Sequence, residues 1–441
     1  MQSGSWGVWE RSPMGTRIVK ENQDILVESR RVLSDFTLRD IVGSPYCVHR
    51  YAVDEHLEGA GGLAAARKEL TARKIRLILD FVPNHVAPDH PWISEHPEYF
   101  VQGSEEDLAT APDAFFRADG RVFANGRDPY FPPWPDVIQL NAFHPGLRRA
   151  AMETVSEIAS QCDGIRCDMA MLLMNPVFEK TWGRRVGSRP ETEYWEEVIP
   201  SVRESYPNLL FMAEAYWDLE RELQQQGFNF CYDKRLYDRI ESENGESVRR
   251  HLVSDPAYQE GLVRFIENHD EPRAASVFPP EKERMAAVST STLPGAKLFH
   301  EGQFEGRKIK LPVFLGRRPE EPVDGDLQVF YRKLLKGINV PSFKEGEWRL
   351  CDRTGWPDNP SYLNLVSWCC KKGEERYLVA VNLSGRSSQA RVRLPWDELA
   401  GQSWRLTDVF TERVYERDGD EMSDPGLYVD LPAWGFHFLK C

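Results

Sequence analysis

No stretch of the 441 residues reaches the roughly 18 consecutive apolar residues of a membrane-crossing helix, so no membrane span is expected. Positive charge is in short supply. The 55 Lys and Arg face 69 Asp and Glu, a net charge of −14, which argues against general affinity for nucleic acid or an anionic membrane, because both need basic surface. Cysteine is sparse and scattered: the eight, at 47, 162, 167, 231, 351, 369, 370 and 441, form no Cys-x-x-Cys pair and no dense disulfide framework. The opening "MQSGSWGVWERSP" has neither the charged start nor the apolar run of an export signal, so reduced thiols in a cytoplasm are the expectation. A glycine-rich phosphate loop is also missing, which removes the main support for an open, doubly wound nucleotide-binding sheet. What the chain does have is apolar and aromatic mass: 41% hydrophobic residues, with 13 Trp and 15 Tyr, enough for a large core plus something smaller.

Short apolar runs alternate with helical patterns. "IRLILDFV" (75–82) follows an amphipathic stretch at 62–74, and "GIRCDMAMLL" (164–173) follows one at 145–162. "NLLFMAEAYW" (208–217), "GLVRFIENHD" (261–270) and "GAKLFHEGQ" (295–303) repeat the rhythm, with weaker units near 46–53 and 228–237. Strands separated by helices predict βα units and a parallel sheet, here a (β/α)8 barrel. Residues 87–147 are too long for a βα loop and too rich in Pro and aromatics for disorder, so they predict an inserted subdomain after the third strand. After residue 345 alternation with turn signals predicts an antiparallel β-sandwich. The expected division is a barrel from 1–86 and 148–345, an insertion at 87–147 and a sandwich at 346–441.

Four strand ends carry charge that an apolar core would not accept. They are Asp80 through His85, Arg166 with Asp168, Glu214, and Asn268-His269-Asp270. Arg166 and Asp168 are two apart and share a strand face. In a barrel the C-terminal strand ends face one mouth, so these groups have a common focus. Singly each has a plainer reading: an ion pair, a solvated strand end, a helix cap.

In order and spacing, "DFVPNH" (80–85), "GIRCD" (164–168), "AEAYW" (213–217) and "FIENHD" (265–270) resemble the four signature regions of the α-amylase family, glycoside hydrolase family 13. The resemblance implies a retaining α-glycosidase acting on α-linked glucans or oligosaccharides through a covalent glycosyl-aspartate intermediate. Asp168 would be the nucleophile, Glu214 the general acid/base and Asp270 the third catalytic carboxylate. Arg166, His85, His269 and Asp80 would bind or brace the sugar. Other outcomes implied by the same residues are an α-glucan transglycosylase, a sugar isomerase, or a catalytically silent carbohydrate-binding relative. The chemistry asks for these types independently: one carboxylate attacks the anomeric carbon while a carboxylic acid protonates the leaving oxygen. Arg166 favours ionised Asp168, whereas the apolar run before Glu214 suggests surroundings that hold a proton there.

Three departures stand out. "GVW" at 7–9 reads as the tail of a first barrel strand that is short or truncated. The resemblance makes Asn84 a candidate calcium ligand, but Gln139 in "VIQLN" stands where an aspartate is expected and brings no charge, so no cofactor is required. The segment "EGRKIKLPVFLGRRP" (305–319) is locally basic, which suits a solvated face or an anionic sugar.

Overall fold

The computed structural model describes residues 7–441; part of the opening segment read above for an export signal lies outside the described residues. The chain divides into two compact units: residues 7–232 with Leu311–Pro319, and Asp233–Lys310 with Glu320–Cys441.

The first unit begins with a correction. Strand β1 (Trp9–Arg11) pairs antiparallel with β2 (Val48–Val53), Trp9 opposite Val53 and Arg11 opposite Val48. Neither "GVW" nor the run near 46–53 therefore supplies a strand to the parallel sheet. A short apolar run carries no sign of strand direction; the connection decides it. Here two short helices, Pro13–Glu21 and Gln23–Val32, bring the chain back the opposite way.

The parallel sheet of this unit starts at β3 (Ile78–Phe81). After β3 comes the insertion. It holds β4 (His85–Val86), the hairpin β5 (Phe115–Ala118) and β6 (Arg121–Ala124), and β7 (Ile138–Gln139), which pairs antiparallel with β4. Val86, Ile93, Phe100, Phe123, Ile138, Leu140 and Leu147 form its own apolar cluster. The parallel sheet resumes with β8 (Gly164–Cys167), β9 (Leu210–Ala213) and β10 (Phe230–Tyr232), in the order β3-β8-β9-β10. Every residue of β8 is buried, as expected of a parallel strand covered on both faces. The covering helices show the matching period: Pro145–Ala159 buries Leu147, Ala151, Val155 and Ile158.

The outer side of β3 has two different ends. Towards its C-terminus side chains satisfy the backbone: Trp9 Nε1 donates to Asp80 O (2.6 Å), while Tyr51 Oη receives from Val82 N (2.9 Å) and donates to Val82 O (3.1 Å). Towards its N-terminus, Ile75 and Ile78 are exposed.

In the second unit β11 (Leu262–Arg264) and β12 (Ala296–Lys297) pair in parallel. Helix Pro280–Thr292 is buried on almost all sides, and its hydroxyls bond back along it: Ser289 to Met285 O and Thr292 to Val288 O. Thr292 Oγ1 also accepts from Trp368 Nε1 (3.2 Å), which ties the helix to the C-terminal sheets. Those sheets are antiparallel, one of six strands and one of three, over a shared core that includes Leu378, Val392, Leu406, Val429 and Leu439. Among the described residues no helix is long and apolar enough to cross a membrane, and all eight cysteines are free thiols.

Candidate active site

The site is built on the third residue of β8. Gly164 lets β8 lie tight against β9, since a Cβ there would meet Leu210 Cβ and O at 3.1 Å. Arg166 then projects to a fully buried position between the rings of Tyr46 and Tyr232, 5.6 and 5.7 Å from its guanidinium carbon. Three carboxylates converge on this one cation. Nη1 lies 3.3 Å from Asp80 Oδ2 and 3.0 Å from Asp168 Oδ1; Nη2 lies 2.6 Å from Glu214 Oε2. Burial works against charge on Arg166, but Glu214, Tyr232 and Asp80 outweigh it and hold the guanidinium well above its ordinary value.

Strand register explains the convergence: Asp80 pairs with Arg166, and Cys167 with Ala213, so Asp168 and Glu214 leave adjacent strands at the same level. The backbone then turns abruptly. Met169, just after Asp168, has φ +44°, and Trp217 and Asp218, just after "EAY", have +65° and +62°. Non-glycine residues held in the left-handed region mark places where the surroundings impose a conformation. The first of these turns aims Met169 N at Glu214 Oε2 (2.8 Å). Tyr216 Oη donates to the other oxygen, Oε1, at 2.7 Å. Glu214 therefore sits among three donors, rather than in the apolar surroundings that the run before it suggested.

His85 opens β4, just beyond the end of β3, its ring 5.1 Å from that of Trp134. Burial drives its pKa down to about 3, opposed by a hydrogen bond with the Tyr46 backbone, so the ring is neutral. Tyr46 thus touches both parts of the site: its ring lies on Arg166 and its backbone meets His85.

Asn84 and Gln139 settle into a neutral pair. Gln139 Nε2 donates to Asn84 Oδ1 (2.9 Å), Asn84 O (2.9 Å) and Leu140 O (3.0 Å), and Asn84 Nδ2 donates to Gln139 Oε1 (3.3 Å). The oxygens a cation would use are already accepting hydrogen bonds, and among the described residues no carboxylate joins the pair. Calcium prefers six to eight oxygen ligands with carboxylates among them, so these residues do not fit it.

His269 and Asp270 belong to the second unit, in the turn beyond β11. His269 Nε2 lies 3.0 Å from Asp270 Oδ2. Asn268 Oδ1 accepts from the backbone N–H groups of Asp270 and Glu271, each at 2.8 Å, so "NHD" is a side-chain-closed turn rather than a helix cap. The basic segment at 305–319 is partly neutralised: Arg317 pairs with Asp35 (2.9 Å) and Asp40 (2.6 Å).

The first unit thus brings Asp80, Arg166, Asp168 and Glu214 into one cluster with Asn84 and His85 alongside. Sequence reasoning missed Tyr46, Tyr216, Tyr232 and the Met169 N–H. Only Tyr216 left a signal, two residues after Glu214. A cavity of about 870 Å³ opens elsewhere, lined by Arg76, Asp163, Leu209 and Asn229, each just before a parallel strand. None of the site residues lines it, and ligands of parallel α/β sheets bind at the opposite, C-terminal strand ends.

The model of a family described as alpha amylase, catalytic domain, matches residues 46–311. Alpha-amylase MalA of Haloarcula japonica is 25% identical over 317 residues, 67% of this chain and 42% of that protein. Alpha-1,4-glucan:maltose-1-phosphate maltosyltransferase of Rhodospirillum rubrum is 27% identical over 176 residues, 39% of this chain and 21% of that protein. The chain thus spans less than half the length of these two relatives. The solved structure of a noncanonic maltogenic alpha-amylase, AmyB from Thermotoga neapolitana, matches with a TM-score of 0.68 at 19% identity, over 91% of this chain and 85% of that one. That likeness is one of fold.

Proposed function

Because the chain belongs to the α-amylase family, we propose that it is a retaining glycosidase of α-linked glucans or oligosaccharides, with Asp168 as nucleophile and Glu214 as general acid/base. The observation that carries this reading is Arg166, whose two terminal nitrogens hold Asp168 at 3.0 Å and Glu214 at 2.6 Å. Retaining chemistry needs two carboxyl groups roughly 5 Å apart, and a shared guanidinium is a physical means of keeping two acids that close.

In the first step an Asp168 oxygen attacks the anomeric carbon as the bond to the leaving oxygen breaks, and the protonated Glu214 carboxyl gives that oxygen its proton. In the second step Glu214, now a carboxylate, takes a proton from water while the water oxygen displaces Asp168 from the same carbon. Stereochemistry is inverted twice and so retained. Arg166 screens the ionised Asp168 from the other carboxylates, and neutral His85 donates a hydrogen bond to a sugar hydroxyl. Family membership supports adding Asp270 as the third carboxylate and His269 as a sugar-binding group. It also supports a (β/α) barrel as the frame, with the insertion at 87–147 and the sandwich at 346–441. Eight free thiols suit a reducing compartment, and a cytoplasmic location is proposed.

A second reading, transfer of the glycosyl group to a sugar hydroxyl in place of water, is favoured by the similarity to the maltosyltransferase. Both readings share the covalent intermediate. The test is a panel of α-linked glucans given to the native chain, Asp168→Asn and Glu214→Gln. Each variant should lose at least about a thousandfold in kcat, and full activity in either one refutes its role. Products longer than the substrate identify a transferase.

A further inference from the structure

The Asn84–Gln139 pair does more than close the base of the insertion. Gln139 is completely buried, and its amide orientation is fixed by the main chain. Nε2 faces two backbone carbonyls, Asn84 O at 2.9 Å and Leu140 O at 3.0 Å, while Oε1 faces the Arg127 N–H at 3.4 Å. The reverse orientation would set a donor against an N–H and an oxygen against two carbonyls. Asn84 inherits this choice. Its Oδ1 must face Gln139 Nε2 (2.9 Å), which turns its Nδ2 towards Gln139 Oε1 and His85 Nδ1, each at 3.3 Å. A ring nitrogen that accepts from an amide N–H carries no proton, and a neutral imidazole then carries its one proton on the other nitrogen.

We propose that Gln139 is a positioning residue, which acts through Asn84 to hold His85 as the tautomer protonated on Nε2. The chain of fixed hydrogen bonds runs from the Arg127 N–H and the Leu140 carbonyl, through two neutral amides, to the histidine. It keeps Nδ1 occupied and leaves Nε2–H as the ring's one donor. Orientation of a functional imidazole by the groups behind it is a general device; here no charge takes part. The value of the relay for catalysis rests on the reading of His85 as a sugar-binding group; the tautomer itself does not.

The test is long-range nitrogen–proton NMR of the full chain, with the His85 ring assigned by its disappearance in His85→Asn. The native protein should show His85 protonated on Nε2. Gln139→Leu removes the amide's donors and its acceptor, so Asn84 is free to turn over, present Oδ1 to the ring and move part of the proton population to Nδ1. Gln139→Met likewise removes both interactions and should give a mixture. kcat/KM on an α-linked oligosaccharide should fall about tenfold in each, mainly through KM. A native ring protonated on Nδ1 overturns the proposal, and this holds even where neither variant folds. An unchanged tautomer in folded variants overturns it too. A changed tautomer with unchanged kinetics upholds the relay and removes His85 from the sugar-binding role.

Discussion

Two buried arginines occupy the same place in their strands, the third residue of β8 and the third of β11, and their surroundings differ in one respect. Among the described residues Arg264 meets a single carboxylate, Asp233, and gives its other hydrogen bonds to neutral oxygens: Gln259 O at 3.3 Å and Pro294 O at 3.2 Å, with the Gln259 side chain. Asp233 is fully employed, receiving His251 Nε2 at 3.0 Å and capping helix Lys234–Ser242 through Leu236 N at 3.1 Å. Burial lowers the Arg264 pKa to about 9. Arg166 meets three carboxylates, and its pKa moves the other way. One cluster is balanced and closed. The other carries surplus negative charge around a single cation. A surplus costs stability, and a fold keeps it only where something arriving from outside, a proton or a developing positive charge on a sugar, completes the balance. A buried ion pair alone is therefore weak evidence of a site; an unbalanced one at the C-terminal strand ends is stronger.

The comparison breaks if the two arginines respond alike to the same substitution. Arg166→Met should give the larger effect on chemistry, a fall in kcat/KM of about a hundredfold to a thousandfold. It leaves Asp168 and Glu214 without their common partner, and an unpaired buried charge costs about 3–5 kcal/mol. Steady-state kinetics on protein shown folded by circular dichroism decides this. Arg264→Met should instead lower the unfolding free energy by about 3–5 kcal/mol. Where it stays folded, kcat should change by less than about threefold, since Arg264 bonds only to groups of its own scaffold. Denaturant titration beside the same kinetic assay measures both. A large loss of kcat in folded Arg264→Met would end the distinction.

The two clusters were not equally visible in the sequence. "GIRCD" announced itself because Arg166 and Asp168 share a face two residues apart, and because Asp80 and Glu214 sit at corresponding strand ends. Arg264 and Asp233 are far apart in the chain, and only folding reveals them as partners. The parallel strands were legible where a short apolar run followed a helical period, as at 75–82, 164–173 and 208–217. The runs at 7–9 and 46–53 were misassigned because direction depends on the connection, and the two short helices between them carried no sign that the chain would return antiparallel. The amide pair was half legible. Gln139 was visible as a missing charge, but its answering hydrogen bonds come from backbone groups that no sequence pattern encodes.

The finest test of the difference concerns a single hydroxyl. Tyr216 gives Glu214 Oε1 its hydrogen bond at 2.7 Å, while Oε2 is shared between Arg166 and Met169 N. If Glu214 must gain and lose a proton in each turnover, the oxygen beside the Tyr216 hydroxyl is the one from which a proton can be given, because the other faces a permanent cation. Tyr216→Phe removes that hydroxyl and leaves the ring. A hydrogen bond to a charged group is worth about 1.5–3 kcal/mol, so kcat should fall roughly tenfold or somewhat more, with the melting temperature within about 2 °C of native. A variant with native kcat would show that Oε1 takes no part in the proton's path, and would shift that role to the oxygen beside Arg166.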